Sequence, residues 1–123
     1  MASITENKFK TRLRRKKHIR KIVHGSAERP RLVVYRSERQ VYAQLVDDVA
    51  GRTLTGVSSL SPDLREGVAK LKPMDVCRAV GEACARKALS LNINRVVFDR
   101  NGFPYHGRVK AVAEGARKGG LEF

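Results

Sequence analysis

The segment FDRNGFPYHGRVKA, residues 98–111, brings an aspartate, three basic side chains, a tyrosine and a histidine close together in the sequence. Asp99 and His106 are the pair that a nuclease or a phosphatase could use on a phosphate ester. Metal-dependent chemistry of that kind usually gathers several carboxylates around its ions, and Asp99 has no acidic neighbour in this segment. The chain also contains no glycine-rich phosphate loop, no GxSxG and no HExxH. The segment therefore predicts neither a catalytic site nor a metal site.

A purely structural role is one alternative for the same residues. Asp99 follows an apolar stretch and can cap the turn at Asn101-Gly102 through its carboxylate. Pro104 stiffens the loop, and His106 can serve as the N-cap of the last predicted helix. In this interpretation the residues shape the loop and bind no ligand.

RNA binding is the other alternative, and it accounts for more of the residues. Arg100 and Arg108 bring positive charge, while Tyr105 and His106 offer planar rings that stack on unpaired bases or donate to phosphate. The helix predicted to start near Gly107 points free backbone N–H groups at the same loop, which suits a phosphate. Basic and aromatic groups interleaved at a helix N-terminus therefore favour a contact with RNA.

The chain as a whole is strongly basic, with 26 lysines and arginines against 12 acids in 123 residues and a formal net charge of +14. Such a balance usually indicates a polyanionic partner, with nucleic acid first and an anionic membrane surface second. A generically basic protein is the remaining alternative. No stretch is apolar enough to cross a membrane, and no apolar segment follows the basic N-terminus as in a secretory signal. Nucleic acid is therefore the predicted partner.

Much of this charge lies in one acid-free run near the N-terminus. It comprises Lys8, Lys10, Arg12, Arg14, Arg15, Lys16, Lys17, Arg20 and Lys21, with His18 among them. Nothing breaks a helix over residues 8–24, and Gly25 can end it. Because like charges crowd every face, we expect this helix to be weak alone and to be ordered by a polyanion. Residues 1–7 are predicted to be disordered, and residues 25–30 to form a linker.

Three strands are predicted after the linker. Residues 31–36, 41–48 and 52–59 are rich in β-branched or alternating apolar residues, and turn residues separate them. Connections this short predict an antiparallel meander. Ser61 as N-cap and Pro62 at the first helical position then predict a short helix.

A longer helix is predicted from Pro73, with a stripe of apolar residues at helical spacing on its buried side. The stripe comprises Cys77, Val80, Cys84, Ala88 and Leu91. Gly81 inside this helix predicts a close contact with the sheet. The two cysteines lie about 10.5 Å apart along the helix axis, at about 1.5 Å per residue. A disulfide needs Cα atoms closer than about 7 Å, so both are predicted core residues, and no nearby side chains complete a metal site.

The last predicted elements complete an α/β fold of the α+β kind. Residues 94–99 predict a short strand that pairs in parallel through a right-handed crossover. Residues 107–118 predict the last helix, which ends at Gly119-Gly120 and lets Leu121 fold back onto its last turn. The predicted order is β-β-β-α-β-α, with a mixed sheet, helices on one face and a basic N-terminal helix or arm in front.

Four stretches carry a resemblance to a known family, and they read TRLRRKKHIRKIV, ERPRLVVYRS, YAQLVDD and VVFDRNGFPYHGRVKAVAEGARKGGLEF. Together they resemble the L-eighteen family of bacterial large-subunit ribosomal proteins, from about Arg12 to Phe123. The resemblance implies the same element order behind a basic extension, no enzymatic activity and no cofactor. Two departures occur. The loop Asn101-Gly102-Phe103-Pro104 stands where the family often has paired glycines and no proline, and residues 60–72 match poorly.

The resemblance also implies partners: 5S rRNA, which the protein helps join to 23S rRNA, and neighbouring large-subunit ribosomal proteins of the central protuberance. It implies no membrane and no small-molecule substrate, and a cytoplasmic ribosome, with an organellar ribosome left open. Residues 1–28 would be a basic RNA-binding arm, partly disordered when free, and residues 29–123 a globular 5S rRNA-binding domain. The predicted RNA-binding residues are Lys8, Lys10, Arg12, Arg14, Arg15, Lys16, Lys17, His18, Arg20, Lys21, Arg29, Arg31, Arg36, Ser37, Tyr42, Gln44, Arg100, Tyr105, His106 and Arg108.

Two other classes of protein remain as alternatives. A different RNA- or DNA-binding module, such as an assembly factor or a small nucleoid protein, would show an RNP pattern on a strand or a helix-turn-helix. Neither pattern is found in the sequence. An RNA-processing enzyme would show metal-dependent turnover, for which the sequence offers no group of ligands.

Overall fold

The computed structural model describes residues 4–123, which form four helices and four strands. In chain order these are α1 (Ile4–Ile22), β1 (Arg31–Arg36), β2 (Val41–Asp47), β3 (Arg52–Ser58), α2 (Arg65–Val68), α3 (Pro73–Ser90), β4 (Val97–Asp99) and α4 (Arg108–Lys118). The strands make one mixed sheet in the order β3-β2-β1-β4. The predicted α+β class is confirmed, with α3 and α4 packed on the same face of the sheet.

The first three strands form the predicted antiparallel meander. β1 pairs with β2 so that Arg31 lies opposite Val46 and Tyr35 lies opposite Tyr42. β2 pairs with β3, with an irregularity in register next to Leu45. Both β2 and β3 end one residue earlier than the sequence predicts.

The fourth strand pairs in parallel with β1, as predicted, and Val33 lies opposite Asp99. It starts at Val97 rather than at residue 94, because the preceding residues pair with the C-terminal segment. The Glu122 N–H donates to the Asn94 carbonyl over 2.9 Å, and the Val96 N–H donates to the Glu122 carbonyl over 3.1 Å. The last residues of the chain therefore continue the sheet beside β4.

Alternating strand residues build the core against α3 and α4. Leu32, Val34 and Leu45 are fully buried on that face of the sheet. The predicted stripe of α3 is buried except for Leu91, which is half exposed, so that assignment is wrong. Helix α3 ends at Ser90, and the chain turns so that Ile93 is buried instead.

The two core helices cross at glycines. A Cβ at Gly81 would overlap the Val112 carbonyl oxygen of α4, and a Cβ at Gly115 would overlap the Arg78 carbonyl oxygen of α3. The prediction that Gly81 contacts the sheet is therefore wrong, because its close neighbour is the backbone of α4. The absence of a side chain lets the two helix backbones approach and keeps both helices over the sheet.

Helix α1 begins earlier than predicted and ends earlier as well. It includes residues 4–7, which the sequence predicts to be disordered, while residues 1–3 of that predicted segment lie outside the described residues. It stops at Ile22, three residues before Gly25. Of its apolar side chains Ile19 is buried at 9 % exposure, whereas Ile22 is 75 % exposed. Within residues 6–22, Ile19 is thus the one buried apolar side chain of this helix.

The short helix α2 is a single turn, and its predicted cap is wrong. The Ser61 carbonyl accepts the Leu64 and Arg65 N–H groups, but the Ser61 hydroxyl accepts the Ser58 N–H over 2.9 Å instead of capping the helix. None of the described helices combines the length and the apolar character that a membrane span requires.

Candidate nucleic-acid interface

The cations of α1 fall into two sets. Arg12, Lys16 and Arg20 recur every fourth residue, so they share the side that faces the rest of the protein. The remaining predicted residues are exposed and form no ion pair with the described residues; they are Lys8, Lys10, Arg14, Arg15, Lys17, His18 and Lys21. We call this second set the outer cations. They are exposed positive charges of the kind that neutralise phosphates.

Arg12 docks α1 on the loop that follows β4. Its Nη1 donates to the Asn101 carbonyl over 3.2 Å, and its guanidinium lies 4.8 Å from the centre of the Phe103 ring. Gly102, at φ 79°, lies so close to the backbone of α1 that a Cβ at this position would overlap the Arg12 carbonyl oxygen. The guanidinium of Arg36 lies 5.1 Å from the same Phe103 ring. The loop therefore brings a helix cation and a strand cation together.

A buried ion-pair network supports this loop from beneath. Arg31 donates from Nη1 to Asp99 over 2.7 Å and from Nε to Asp48 over 2.9 Å. The free Asp99 oxygen, Oδ1, accepts the Asn101 N–H over 2.7 Å, which confirms the predicted turn-shaping role of Asp99. Arg31 is only 5 % exposed. We therefore assign Arg31 to holding the loop and leave it out of the proposed RNA-contacting set.

Asp48 connects the same network to the end of α1. It accepts the Gly25 N–H over 2.8 Å and lies 3.4 Å from the guanidinium of Arg20. The hydrogen bonds from Arg31 outweigh burial and, with the Gly25 N–H, hold the pKa of Asp48 at about 2. The carboxylate is therefore charged at neutral pH, and it keeps α1 near the sheet.

The face of the sheet opposite α3 and α4 carries aromatic and amide side chains. Tyr35 and Tyr42 lie side by side with ring centres 6.0 Å apart, and Gln44 is exposed beside them. Lys16 and Arg20 of α1 line the same cleft, which encloses about 230 Å³. The structure thus brings the predicted residues Tyr42 and Gln44 next to the basic helix.

The predicted residues after the loop lie at the edge strand and at the start of α4. The Tyr105 ring packs edge-on against Phe98, with ring centres 5.6 Å apart. His106 is exposed and does not cap α4, because Gly107 occupies the N-cap and no side chain bonds there, so that alternative is wrong. Arg108 donates to the Glu38 carbonyl over 3.0 Å. Tyr105 and His106 are therefore presented to solvent beside a helix N-terminus.

Three more predicted residues have local roles in the structure. Ser37 closes the turn between β1 and β2, since its hydroxyl accepts the Gln40 N–H over 3.2 Å. Arg100 donates from Nη1 to the Phe103 carbonyl over 2.9 Å and so braces the loop. Arg29 keeps an exposed side chain in the segment that leads into β1.

Sequence reasoning missed three residues of this surface: Tyr35, Asn101 and Phe103. Tyr35 was detectable, because alternation along β1 places it on the same face as Val33. The role of Phe103 under two guanidinium groups depends on contacts with Arg12 and Arg36, far away in the chain. The pattern of the loop sequence carries no signal for such contacts.

The cysteines and acids form no reactive site in the part of the chain that the structure describes. Cys77 and Cys84 are free and buried, as predicted, and burial raises the pKa of Cys84 to about 12. Within residues 4–123 no three histidine, cysteine or acidic side chains come together as metal ligands.

A small α+β scaffold that presents a basic helix with exposed cations beside aromatic and amide side chains is typical of proteins that bind a polyanion. Residues 6–123 match the family model described as ribosomal L18 of archaea, bacteria, mitochondria and chloroplast, and the chain belongs to this family. It is accordingly a structural protein of the ribosome and not an enzyme.

Curated relatives match along nearly their whole length. The large ribosomal subunit protein uL18 of Thermotoga petrophila is 50% identical over 118 residues, which cover 96% of this chain and 97% of the relative. The protein of that name from Chloroherpeton thalassium is 53% identical over 119 residues, with coverages of 97% and 98%. The one from Oleidesulfovibrio alaskensis is 54% identical over 116 residues, with coverages of 94% and 97%.

Proposed function

We propose that this protein is a constituent of the large ribosomal subunit that binds 5S rRNA and helps attach it to 23S rRNA in the central protuberance. The observation that carries the proposal is the basic helix α1, whose outer cations are exposed and form no ion pair with residues 6–123, beside an aromatic face of the sheet. Family membership and relatives named as large-subunit proteins support the ribosomal part of it. Neighbouring proteins of the central protuberance are the other expected partners.

The two parts of the surface have different tasks in this proposal. The outer cations contact phosphates, which supplies affinity without reading sequence. Tyr42, Gln44, Tyr105 and His106 contact unpaired bases or sugars, which supplies selectivity. The cations on the globular part that reach phosphates in this scheme are Arg29, Arg36, Arg100 and Arg108.

We further propose that residues 1–28 act as an arm that is partly disordered in the free protein. Like charges at helical neighbours destabilise α1, and apart from Ile19 it buries little apolar surface. RNA would neutralise that repulsion and stabilise the helix. Circular dichroism of an arm peptide should show weak helicity that increases when RNA is added. Strong helicity of the free peptide at low salt would contradict this arrangement.

A binding comparison tests the proposed function. The purified protein is titrated with 5S rRNA and with an unrelated structured RNA of similar length, at the same near-physiological salt concentration. Selective binding to 5S rRNA without any RNA cleavage is the expected result. Equal binding to both RNAs would indicate a general nucleic-acid module, and metal-dependent cleavage would indicate a processing enzyme.

A further inference from the structure

Asn101 has a buried polar atom without a partner. Its side chain is 5 % exposed, and among the described residues its Oδ1 is the one buried side-chain nitrogen or oxygen that forms no hydrogen bond. Leaving such an acceptor unpaired costs stability, so a residue of this kind calls for an explanation. The backbone, at φ 55°, fits asparagine, but glycine would fit it as well. The turn therefore explains the conformation of Asn101 but not its amide.

Asn101 is also one of the residues that line the cleft between α1 and the open face of the sheet. Lys16 and Arg20 stand on the helix side of this cleft, and Tyr35, Tyr42 and Gln44 stand on the sheet side. Its volume of about 230 Å³ is several times the roughly 30 Å³ that one water molecule occupies in the liquid. It is also smaller than the roughly 300–1,000 Å³ of pockets for drug-sized ligands. The cleft is thus sized for one small planar group.

The chemistry of the lining indicates what that group is. Lys16, which forms no ion pair with any described residue, attracts an anion at the helix side, next to Arg20, whose guanidinium also lies 3.4 Å from Asp48. The half-buried ring of Tyr42 offers a surface for stacking, and the amide of Gln44 can both donate and accept. Oδ1 of Asn101 needs a donor, such as a base N–H or a ribose 2′-hydroxyl. A nucleotide carries all three of these features in one unit.

We infer that this cleft binds a single unstacked nucleotide of the rRNA. Its phosphate lies at Lys16 and Arg20 and its base lies against Tyr42. The Asn101 amide turns towards the cleft, so that an N–H or O–H of the nucleotide donates to Oδ1. The inference rests on the proposed function, because it assigns one subsite of the same surface.

The test uses the full-length protein, 5S rRNA and two asparagine variants. Asn101→Gly removes the amide but keeps a residue that tolerates positive φ. Asn92→Gly is the matched control, since Asn92 has φ 62° but is exposed after the end of α3. Asn101→Gly should weaken binding about three- to tenfold, as expected when one hydrogen bond is removed. Asn92→Gly should leave affinity unchanged, and both variants should be folded at the temperature of the titration.

Chemical probing of the bound RNA identifies the nucleotide itself. Wild-type protein should change the reactivity of one unpaired nucleotide towards base-specific and 2′-hydroxyl reagents. Asn101→Gly and Tyr42→Ala should restore the free reactivity at that nucleotide and leave the remaining footprint intact.

The outcomes separate this inference from the proposed function. If wild type binds 5S rRNA selectively but Asn101→Gly gives the same affinity and the same reactivity pattern, the cleft holds only solvent and the inference is overturned. If wild type shows no selectivity for 5S rRNA, the proposed function fails and the inference falls with it.

Discussion

Helix α1 and the pair formed by α3 and α4 lie on opposite faces of the sheet and are held there by different interactions. The pair crosses at Gly81 and Gly115 so closely that no side chain fits between the backbones, and it buries a common apolar core. Helix α1 lies on the opposite side, and within residues 6–22 its one buried apolar side chain is Ile19, with polar contacts at Arg12 and Arg20. Apolar packing therefore holds α3 and α4 on the sheet. Helix α1 instead keeps exposed charges that a polyanion can neutralise.

The two regions meet at the network of Arg31, Asp48 and Asp99. Asp99 belongs to the end of β4, and Asp48 follows β2, so the guanidinium of Arg31 links the sheet with the loop under α1. A substitution in the packed region should therefore change stability alone, and one on the RNA-binding surface should change affinity alone. A substitution in this network should change both.

The largest effect is expected in that network. Asp99→Ala should lower the free energy of unfolding by about 3 to 5 kcal/mol, because it leaves the buried Arg31 guanidinium without one partner. It should also weaken 5S rRNA binding, since the Asn101 turn loses its bond to the carboxylate. Asp75→Ala removes the exposed ion pair with Arg78 and should cost at most about 1 kcal/mol. Chemical denaturation and RNA titration of both variants measure these effects; a stable Asp99→Ala protein would contradict the coupling.

The packed region should respond in stability alone. Gly81→Ala should cost about 2 to 3 kcal/mol, because its Cβ has to push α4 away. Gly67→Ala in α2 has no atom within 4 Å of the new Cβ and should be neutral or slightly stabilising. Both proteins should bind 5S rRNA normally at temperatures where they are folded. A loss of affinity in folded Gly81→Ala would show that the regions are not separable.

A substitution at Arg108 should change RNA affinity and leave stability nearly unchanged. Arg108→Ala should weaken 5S rRNA binding by about 1.5 to 3 kcal/mol, the range for a charge-assisted bond to phosphate. The loss of its bond to the Glu38 carbonyl should change stability by no more than about 1 kcal/mol. Arg86→Ala on the exposed side of α3 serves as control and should affect neither quantity. Early melting of Arg108→Ala together with normal binding would make its role structural.

The smallest expected effect is the pH dependence of the stability that Asp48 contributes at the same network. The pKa of Asp48 is lowered from 3.8 to about 2 in the folded protein, so its charged form is favoured by folding. That stabilisation is present above pH 4, amounts to about 2 kcal/mol, and is lost as the pH falls towards 2. The stability difference between wild type and Asp48→Asn should therefore shrink between pH 4 and pH 2. A difference that stays constant over this window would contradict the assignment.

The sheet and the core helices could be predicted from local patterns. β-Branched runs and turn residues set the strands to within one residue at most ends, and Pro73 marked the start of α3. The start of β4 was missed, because residues 94–96 pair with the C-terminal segment instead. Leu91 matched the helical period, but the helix had already ended when the chain reached it.

The candidate site was predictable in its charge but not in its geometry. The basic run is visible in composition alone. The role of Arg31 could not be predicted, because its acidic partners are 17 and 68 residues away along the chain. Gly81 showed that a glycine in α3 needs a close neighbour but could not show which element supplies it.

The salt dependence of 5S rRNA binding tests most directly the claim that α1 supplies affinity without supporting the fold. Full-length protein is compared with a variant in which Arg14, Arg15, Lys17 and Lys21 are replaced by glutamine. A control replaces four exposed cations outside α1, namely Arg52, Lys70, Lys72 and Arg86.

The α1 variant should keep the melting temperature of the wild type. Its slope of log affinity against log salt should fall by roughly 0.7 to 0.9 for each phosphate that the variant no longer neutralises, while the control keeps the wild-type slope. An unchanged slope in the α1 variant, or a weakening of binding that merely follows a decrease in stability, would contradict the account.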